Sequence, residues 1–195
     1  MITKKRRKYD GIKKIALLGT KSGVGVTHTG ILLGEFLKEK MGANVAFVEK
    51  NYHGDIEQLG EAVYGYPDTP FVFRGIDCYS ISGEEKFKKK EQAYDYLILD
   101  FGTHKRKNRM ELEQCEKKLV IGTLNLWEWK EYIQVAEYYK ENLPKETLEY
   151  MVSFGERKLL SRVEKQLRSK VHFLGPQPIE KALSKEAVDF FSTLI

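Results

Sequence analysis

Residues 14–28 read Lys14-Ile15-Ala16-Leu17-Leu18-Gly19-Thr20-Lys21-Ser22-Gly23-Val24-Gly25-Val26-Thr27-His28, and this stretch decides the fold. Its first six residues form a short continuous apolar run closed by glycine, the pattern of a strand buried on both faces of a parallel sheet. A glycine-rich loop follows. Ile31, Leu32, Leu33, Phe36 and Leu37 then recur at helical spacing over residues 27–40, and Gly42 supplies a helix stop. The next apolar run is Val45-Ala46-Phe47-Val48. Strand, glycine loop, helix and strand spell one βαβ unit, whose crossover is expected to be right-handed.

Working outward, the apolar runs place further strands at 76–81, 96–99, 118–121, 150–152 and 171–174, with helical patterns at 55–63, 109–116, 127–142, 158–169 and 179–194. Strands that alternate with helices along the whole chain predict an α/β fold: a doubly wound, mostly parallel sheet with helices on both faces. Residues 65–74 read as a turn-rich connection, and 84–91 as a charged segment too polar to pack broadly. No internal repeat or low-complexity linker interrupts the pattern. The expected organisation is a basic tail over residues 1–13, then a single domain over 14–195.

Composition narrows the setting. The chain has 195 residues and is 42% hydrophobic, enough for one substantial core. No run approaches the length of a membrane span, and the charged start has no apolar stretch behind it, so a cytoplasmic protein is expected. Cys78 and Cys115 stand alone at no metal or redox spacing, which suits a reducing compartment. The net charge of +5 arises from 33 basic and 28 acidic residues, so position matters more than the sum. Basic residues concentrate in Lys4, Lys5, Arg6, Arg7 and Lys8, and again in His104, Lys105, Arg106, Lys107 and Arg109. Such clusters attract the phosphates of DNA or of anionic lipid headgroups, which would put the protein on a nucleoid or at a membrane surface.

The loop after the first strand is where a doubly wound sheet binds ligands. Glycines let main-chain N–H groups turn inward, and the following helix adds its positive end, which together make an anion cradle. The Thr27 hydroxyl stands where a phosphate-loop hydroxyl holds Mg²⁺.

This loop resembles the deviant Walker motif of the MinD/ParA family of P-loop ATPases, K-G-G-V-G-K-T. Lys21 matches that family's signature lysine, Gly23-Val24-Gly25 its central glycines and Thr27 its magnesium-binding hydroxyl. Ser22 replaces a glycine, and Val26 replaces the lysine that reaches the β and γ phosphates. Glu49 and Asn51 stand where the family has a D-x-D pair, and an amide at 51 cannot accept a proton as a carboxylate does. Tyr96-Leu97-Ile98-Leu99-Asp100 is similar to the Walker B strand, with Asp100 keeping the carboxylate that steadies Mg²⁺. Met151-Val152-Ser153-Phe154 lacks the asparagine that reads adenine in the family.

The resemblance implies a P-loop fold that binds ATP or ADP with Mg²⁺ through Lys21, Ser22, Gly23, Val24, Gly25, Val26, Thr27 and His28. Thr27, Asp100 and Glu49 would lie on the metal side. It also implies a homodimer and a protein partner, with weak or absent hydrolysis, in partition, division-site or pilus placement. Two alternatives stay open: an active atypical ATPase in which Lys21 or Lys50 takes over the phosphate contact, and a nucleotide-free scaffold that binds DNA or protein. Two further groups read as packing. Trp127, Trp129, Tyr132, Tyr138 and Tyr139 form an aromatic set with one exposed edge. Val188, Phe190, Phe191, Leu194 and Ile195 lack the flanking cations of an interfacial helix and are expected to dock on the sheet.

Overall fold

The computed structural model describes residues 11–66, 68–103, 109–179 and 181–195. The apolar runs become strands β1 (Lys13–Gly19), β2 (Val45–Glu49), β4 (Ile76–Tyr79), β5 (Tyr96–Asp100), β6 (Lys117–Leu124), β7 (Leu148–Gly155) and β8 (His172–Phe173), joined by β3 (Phe71–Phe73). They form one sheet in the order β3-β4-β2-β5-β1-β6-β7-β8. Every pairing is parallel except β3 with β4. β1 lies in the middle, held by β5 on one edge and β6 on the other.

Helices cover both faces because successive strand residues point to opposite sides. Ile15, Leu17, Phe47 and Ile98 pack with α1 (Val26–Met41), α2 (Asp55–Tyr64) and α7 (Lys185–Leu194). Ala16, Leu18, Val48 and Leu99 pack with α3 (Glu84–Lys90), α4 (Arg109–Glu113), α5 (Trp129–Asn142) and α6 (Leu160–Leu167). Phe190, Phe191 and Leu194 are buried in the first of these cores, so the C-terminal helix docks on the sheet as its apolar pattern required.

Four readings of the sequence need correction. Residues 65–74 contain β3, an antiparallel edge strand too short to show a period. Residues 84–91 form α3, which is anchored by one buried side chain, Phe87. The helix expected from 179 begins only at Lys185, where the Ser184 hydroxyl accepts the Ala187 N–H. In the helix at 127–142 the first two residues are a turn, leaving Trp127 80% exposed while Tyr132 and Tyr139 are buried. The tail at 1–10 and the basic residues 104–108 lie outside the described residues. Arg109 is described and pairs with Glu113 at 2.7 Å.

The edge hairpin is fastened by charge. Arg74 in the β3–β4 turn donates Nε to Glu35 Oε2 at 2.7 Å and Nη2 to Oε1, and Glu35 on α1 is almost wholly buried. Removing the guanidinium strands a buried carboxylate, which costs about 3–5 kcal/mol. Arg74→Ala is therefore expected to lower denaturant-unfolding stability on that scale, and Glu35→Met with Arg74→Met to recover most of it. Equal losses in the single and double variants would contradict this account.

Candidate functional site

The loop between β1 and α1 is pinned by its neighbours. Gly19 N–H donates to Gly102 O at 2.8 Å, and Thr20 N–H to Ile121 O at 2.9 Å. A β-bulge in β7 supplies a third tie. Gly122 pairs with Val152 and Thr123 with Phe154, which leaves Ser153 without a partner strand residue. Its hydroxyl turns to the loop and donates to Val24 O at 2.7 Å, with Gly122 O at 3.2 Å.

Gly23 and Gly25 have φ of +78° and +87°, the left-handed region that glycine enters without strain. Gly25 also begins α1 with no side-chain cap and no acidic residue in the first turn. The first N–H groups of a 16-residue helix therefore face the loop cavity with their partial positive charge. That cavity has a volume of about 700 Å³ and is lined by Lys21, Ser22, Gly23, Gly25, Val26, Thr27 and His28 from the loop, and by Asp55 and Asp100 across it.

At the foot of the cavity, Thr27 Oγ1 lies 2.7 Å from Asp100 Oδ2 and 2.9 Å from Asp55 Oδ2. One hydroxyl proton cannot serve both carboxylates. The second contact needs a proton on an acid or a cation nearby. Asp100 Oδ1 is fully engaged, accepting Gly102 N–H at 2.8 Å and Asn51 Nδ2 at 3.0 Å. Burial still pushes the Asp100 carboxyl above its ordinary range, against the lowering effect of the Thr27 and Gly102 donors. Glu49 accepts the Asp55 N–H at 2.9 Å and so caps α2. Burial, opposed by that bond, raises it from 4.5 to about 7.

The structure brings Lys21, Ser22, Gly23, Gly25, Val26, Thr27, His28 and Asp100 together around this cavity, while Val24 is buried behind it. Three of the candidate side chains have other employment. Val26 lies against Gly19, where a Cβ would meet its Cγ2 at 2.7 Å. Lys21 pairs with Glu128 of the same chain, and that ammonium, with the Asn125 amide, holds Glu128 down to about 2. His28 Nε2 lies 2.6 Å from Gln177 O, and since a carbonyl only accepts, this nitrogen carries the proton. Lys50, the other candidate replacement cation, pairs with Glu111 at 2.9 Å and does not line the cavity. Asn51 cross-links the ends of β2 and β5, donating to Asp100 and accepting the His53 N–H at 2.9 Å.

Sequence reasoning missed Asp55, Glu128 and Ser153. Asp55 looks like an ordinary first-turn acid after Gly54, and only the adjacency of β2 and β5 brings it to Thr27. Among the described residues, no group of three or more His, Cys, Asp or Glu side chains is arranged to hold a metal by itself. Mg²⁺ does not require one, because it takes one or two protein oxygens and completes its shell with phosphate oxygens and water. A hydroxyl within hydrogen-bond distance of two carboxyl groups is a donor set of that kind, so Thr27, Asp100 and Asp55 fit the ion.

No protein-family model matches this sequence, and no curated protein sequence matches it. Solved structures do. A ParA family ATPase from Chlorobium tepidum aligns with TM-score 0.64 at 17% identity, over 93% of this chain and 98% of that one. The chain has the ParA/MinD fold. The MinD cell division protein of Aquifex aeolicus aligns equally well, at TM-score 0.64 and 15% identity over 93% of this chain and 96% of its own. A Borrelia burgdorferi protein assigned to plasmid partition, solved bound to AMPPNP, reaches TM-score 0.60 at 15% identity over 94% and 96%.

Glu49 supplies a pH test. Its folded form holds a proton more tightly than the unfolded chain does, so its contribution favours folding below pH 4.5. That contribution is lost as pH rises from 4.5 to about 7, to a limit of about 3 kcal/mol at about 1.4 kcal/mol per unit. Glutamine keeps the acceptor for Asp55 N–H without the charge. In metal-free buffer Glu49→Gln is expected to raise Tm at pH 8 and to change it little at pH 4. An equal Tm change at both pH values would show that the charge is not what costs stability.

Proposed function

We propose that this chain binds ATP or ADP with Mg²⁺ in the loop cavity, hydrolyses it weakly or not at all, and acts as a homodimeric positioning or assembly factor. The observation that carries the reading is the Thr27–Asp100 pair at 2.7 Å, at the foot of a cavity into which an uncapped helix N-terminus opens. Hydroxyl, buried carboxylate and inward amides are the parts that hold a metal–polyphosphate. Similarity in fold to a ParA family ATPase, to MinD and to an AMPPNP-bound partition protein supports the nucleotide and the cellular role.

Weak hydrolysis follows from what the side chains do. Val26 offers no donor to a phosphate, and Asn51 is spent on Asp100 in place of a water-polarising carboxylate. Among the described residues lining the cavity, Lys21 is the only lysine or arginine, and Asp55 and Asp100 oppose a bare anion. Bound Mg²⁺ would add positive charge beside those carboxyl groups. By calorimetry, ATP is expected to bind with Mg²⁺ and to lose at least about hundredfold in affinity in EDTA. Val26→Lys should tighten binding, and steady-state turnover should stay near background. Brisk turnover abolished by Asp100→Ala would favour the atypical ATPase instead, and no heat at millimolar Mg·ATP would favour the nucleotide-free scaffold.

The dimer has a surface suited to it. Tyr52, Met110, Leu126 and Trp127 are exposed on the segments that follow β2, β5 and β6, at the end of the sheet where the cavity opens. Exposed apolar side chains gathered on one end mark an interaction surface. Sedimentation with Mg·ATP is expected to show a dimer that Leu126→Ser with Trp127→Ser dissociates while leaving the monomer folded. An unchanged dimer would place the interface elsewhere. The basic run Lys4, Lys5, Arg6, Arg7 and Lys8 would give such a dimer its hold on DNA or on an anionic membrane.

A further inference from the structure

The chain as a whole is basic, at a net charge of +5, yet residues 51–73 contain no lysine or arginine and carry Asp55, Glu57, Glu61 and Asp68. This stretch makes α2 and β3, the strand at one edge of the sheet. Asp55 belongs to the loop cavity. The other three acids face outward at the edge or the connection to it. Glu57 accepts the Ser80 and Ser82 hydroxyls at 3.0 and 2.7 Å, Glu61 is exposed on α2, and Asp68 pairs with Lys86 at 3.1 Å. Among the described residues, no lysine or arginine pairs with Glu57 or Glu61.

The apolar stripe of α2 outruns the sheet beneath it. Ile56, Leu59, Gly60 and Val63 recur at helical spacing. Ile56 is buried, and Gly60 lies so near Phe71 that a Cβ would stand 2.9 Å from its ring. One turn later the cover ends: Val63 is 46% exposed, Tyr64 42% and Tyr66 51%. Tyr64 holds this patch together, with ring centroids 5.6 Å from Phe71 and 5.9 Å from Tyr66. Its hydroxyl donates to Val72 O, which occupies a main-chain acceptor on a strand of only three residues. Natural edges are blunted against strand addition in this way. What remains on offer is side-chain surface. Glu57, Glu61 and Tyr64 follow one another at helical spacing, so the acids border the aromatic patch.

We propose that this edge docks an amphipathic helix of another protein, with its apolar side against Val63, Tyr64 and Tyr66 and its lysines or arginines against Glu57 and Glu61. The charge of the rim selects that occupant. DNA and anionic lipid present phosphates, which the acids repel. A second copy meeting this face across a two-fold axis would set Glu57 and Glu61 against their own equivalents. A helix with one apolar and one basic side meets both parts of the patch at once. The patch is made of residues other than those of the loop cavity and of the exposed group at Leu126 and Trp127, and the proposal does not depend on nucleotide binding.

The test is fluorescence anisotropy of a labelled leucine–lysine amphipathic peptide of about 18 residues, a length that supports a helix on binding, titrated with the full chain. A peptide of the same pattern with glutamate for lysine is the control. The lysine peptide is expected to bind and the glutamate peptide not to. Tyr66→Ser, at an exposed position, should weaken binding at least about fivefold, the loss of one aromatic anchor. Glu61→Lys, also exposed, should weaken it at least about threefold by reversing a rim charge. Circular dichroism of both variants checks that the fold is kept. No binding at millimolar chain, equal binding of the two peptides, or binding indifferent to both substitutions would overturn the proposal. Loss with Leu126→Ser and Trp127→Ser in place of Tyr66→Ser would assign the peptide to the other exposed surface, and self-association abolished by Tyr66→Ser would assign the patch to a second copy; either result refutes it.

Discussion

β1 is hydrogen-bonded along both edges to parallel neighbours, and the functional geometry depends on that constraint. A strand in this position cannot shift register without breaking two ladders. Its last residues are therefore presented at a fixed height, and the ties from Gly19 to Gly102 and from Thr20 to Ile121 carry that order into the loop. Ser153, displaced from its ladder by the bulge in β7, holds the far side at Val24. Loop amides that would otherwise need a ligand to order them are set by the sheet.

Electrostatics around that frame differs from what a phosphate loop with its lysine would provide. Among the described residues, two acids, Asp55 and Asp100, surround Thr27 at the foot of the cavity, and Lys21 is paired with Glu128. Helix α1 adds partial positive charge through its free N–H groups, but a dipole end is equivalent to only about half a unit charge. A polyphosphate and a divalent cation are each poorly served alone and well served together. On the proposed reading, that balance favours the metal complex over either component alone.

A second cavity adjoins the loop cavity, and the two cavities differ in chemistry. One is polar, lined by main chain and carboxylates. The other is mostly apolar, walled by Leu32, Met151, Leu174 and Phe191. They meet at Gly25 and His28.

The α/β alternation, the buried strand before the loop, the glycine loop, Thr27 and Asp100 were legible in the sequence by itself, because each is encoded by neighbours within a few residues. Apolar runs mark buried strands, and a loop motif carries its own geometry. The same logic foresaw that the C-terminal apolar residues pack on the sheet. Only the tertiary structure decided what depends on distant strands meeting. Asp55 reaches Thr27 because β2 pairs with β5. Glu128 captures Lys21 across 107 positions of chain, and Ser153 reaches the loop because a bulge turns it aside. β3 and the late start of α7 were hidden for the same reason: three residues are too few for a period, and a helix boundary is set by a cap and by packing as much as by the apolar repeat. Local patterns fix elements, whereas side-chain partners across a sheet depend on strand order and register, which no stretch of sequence contains.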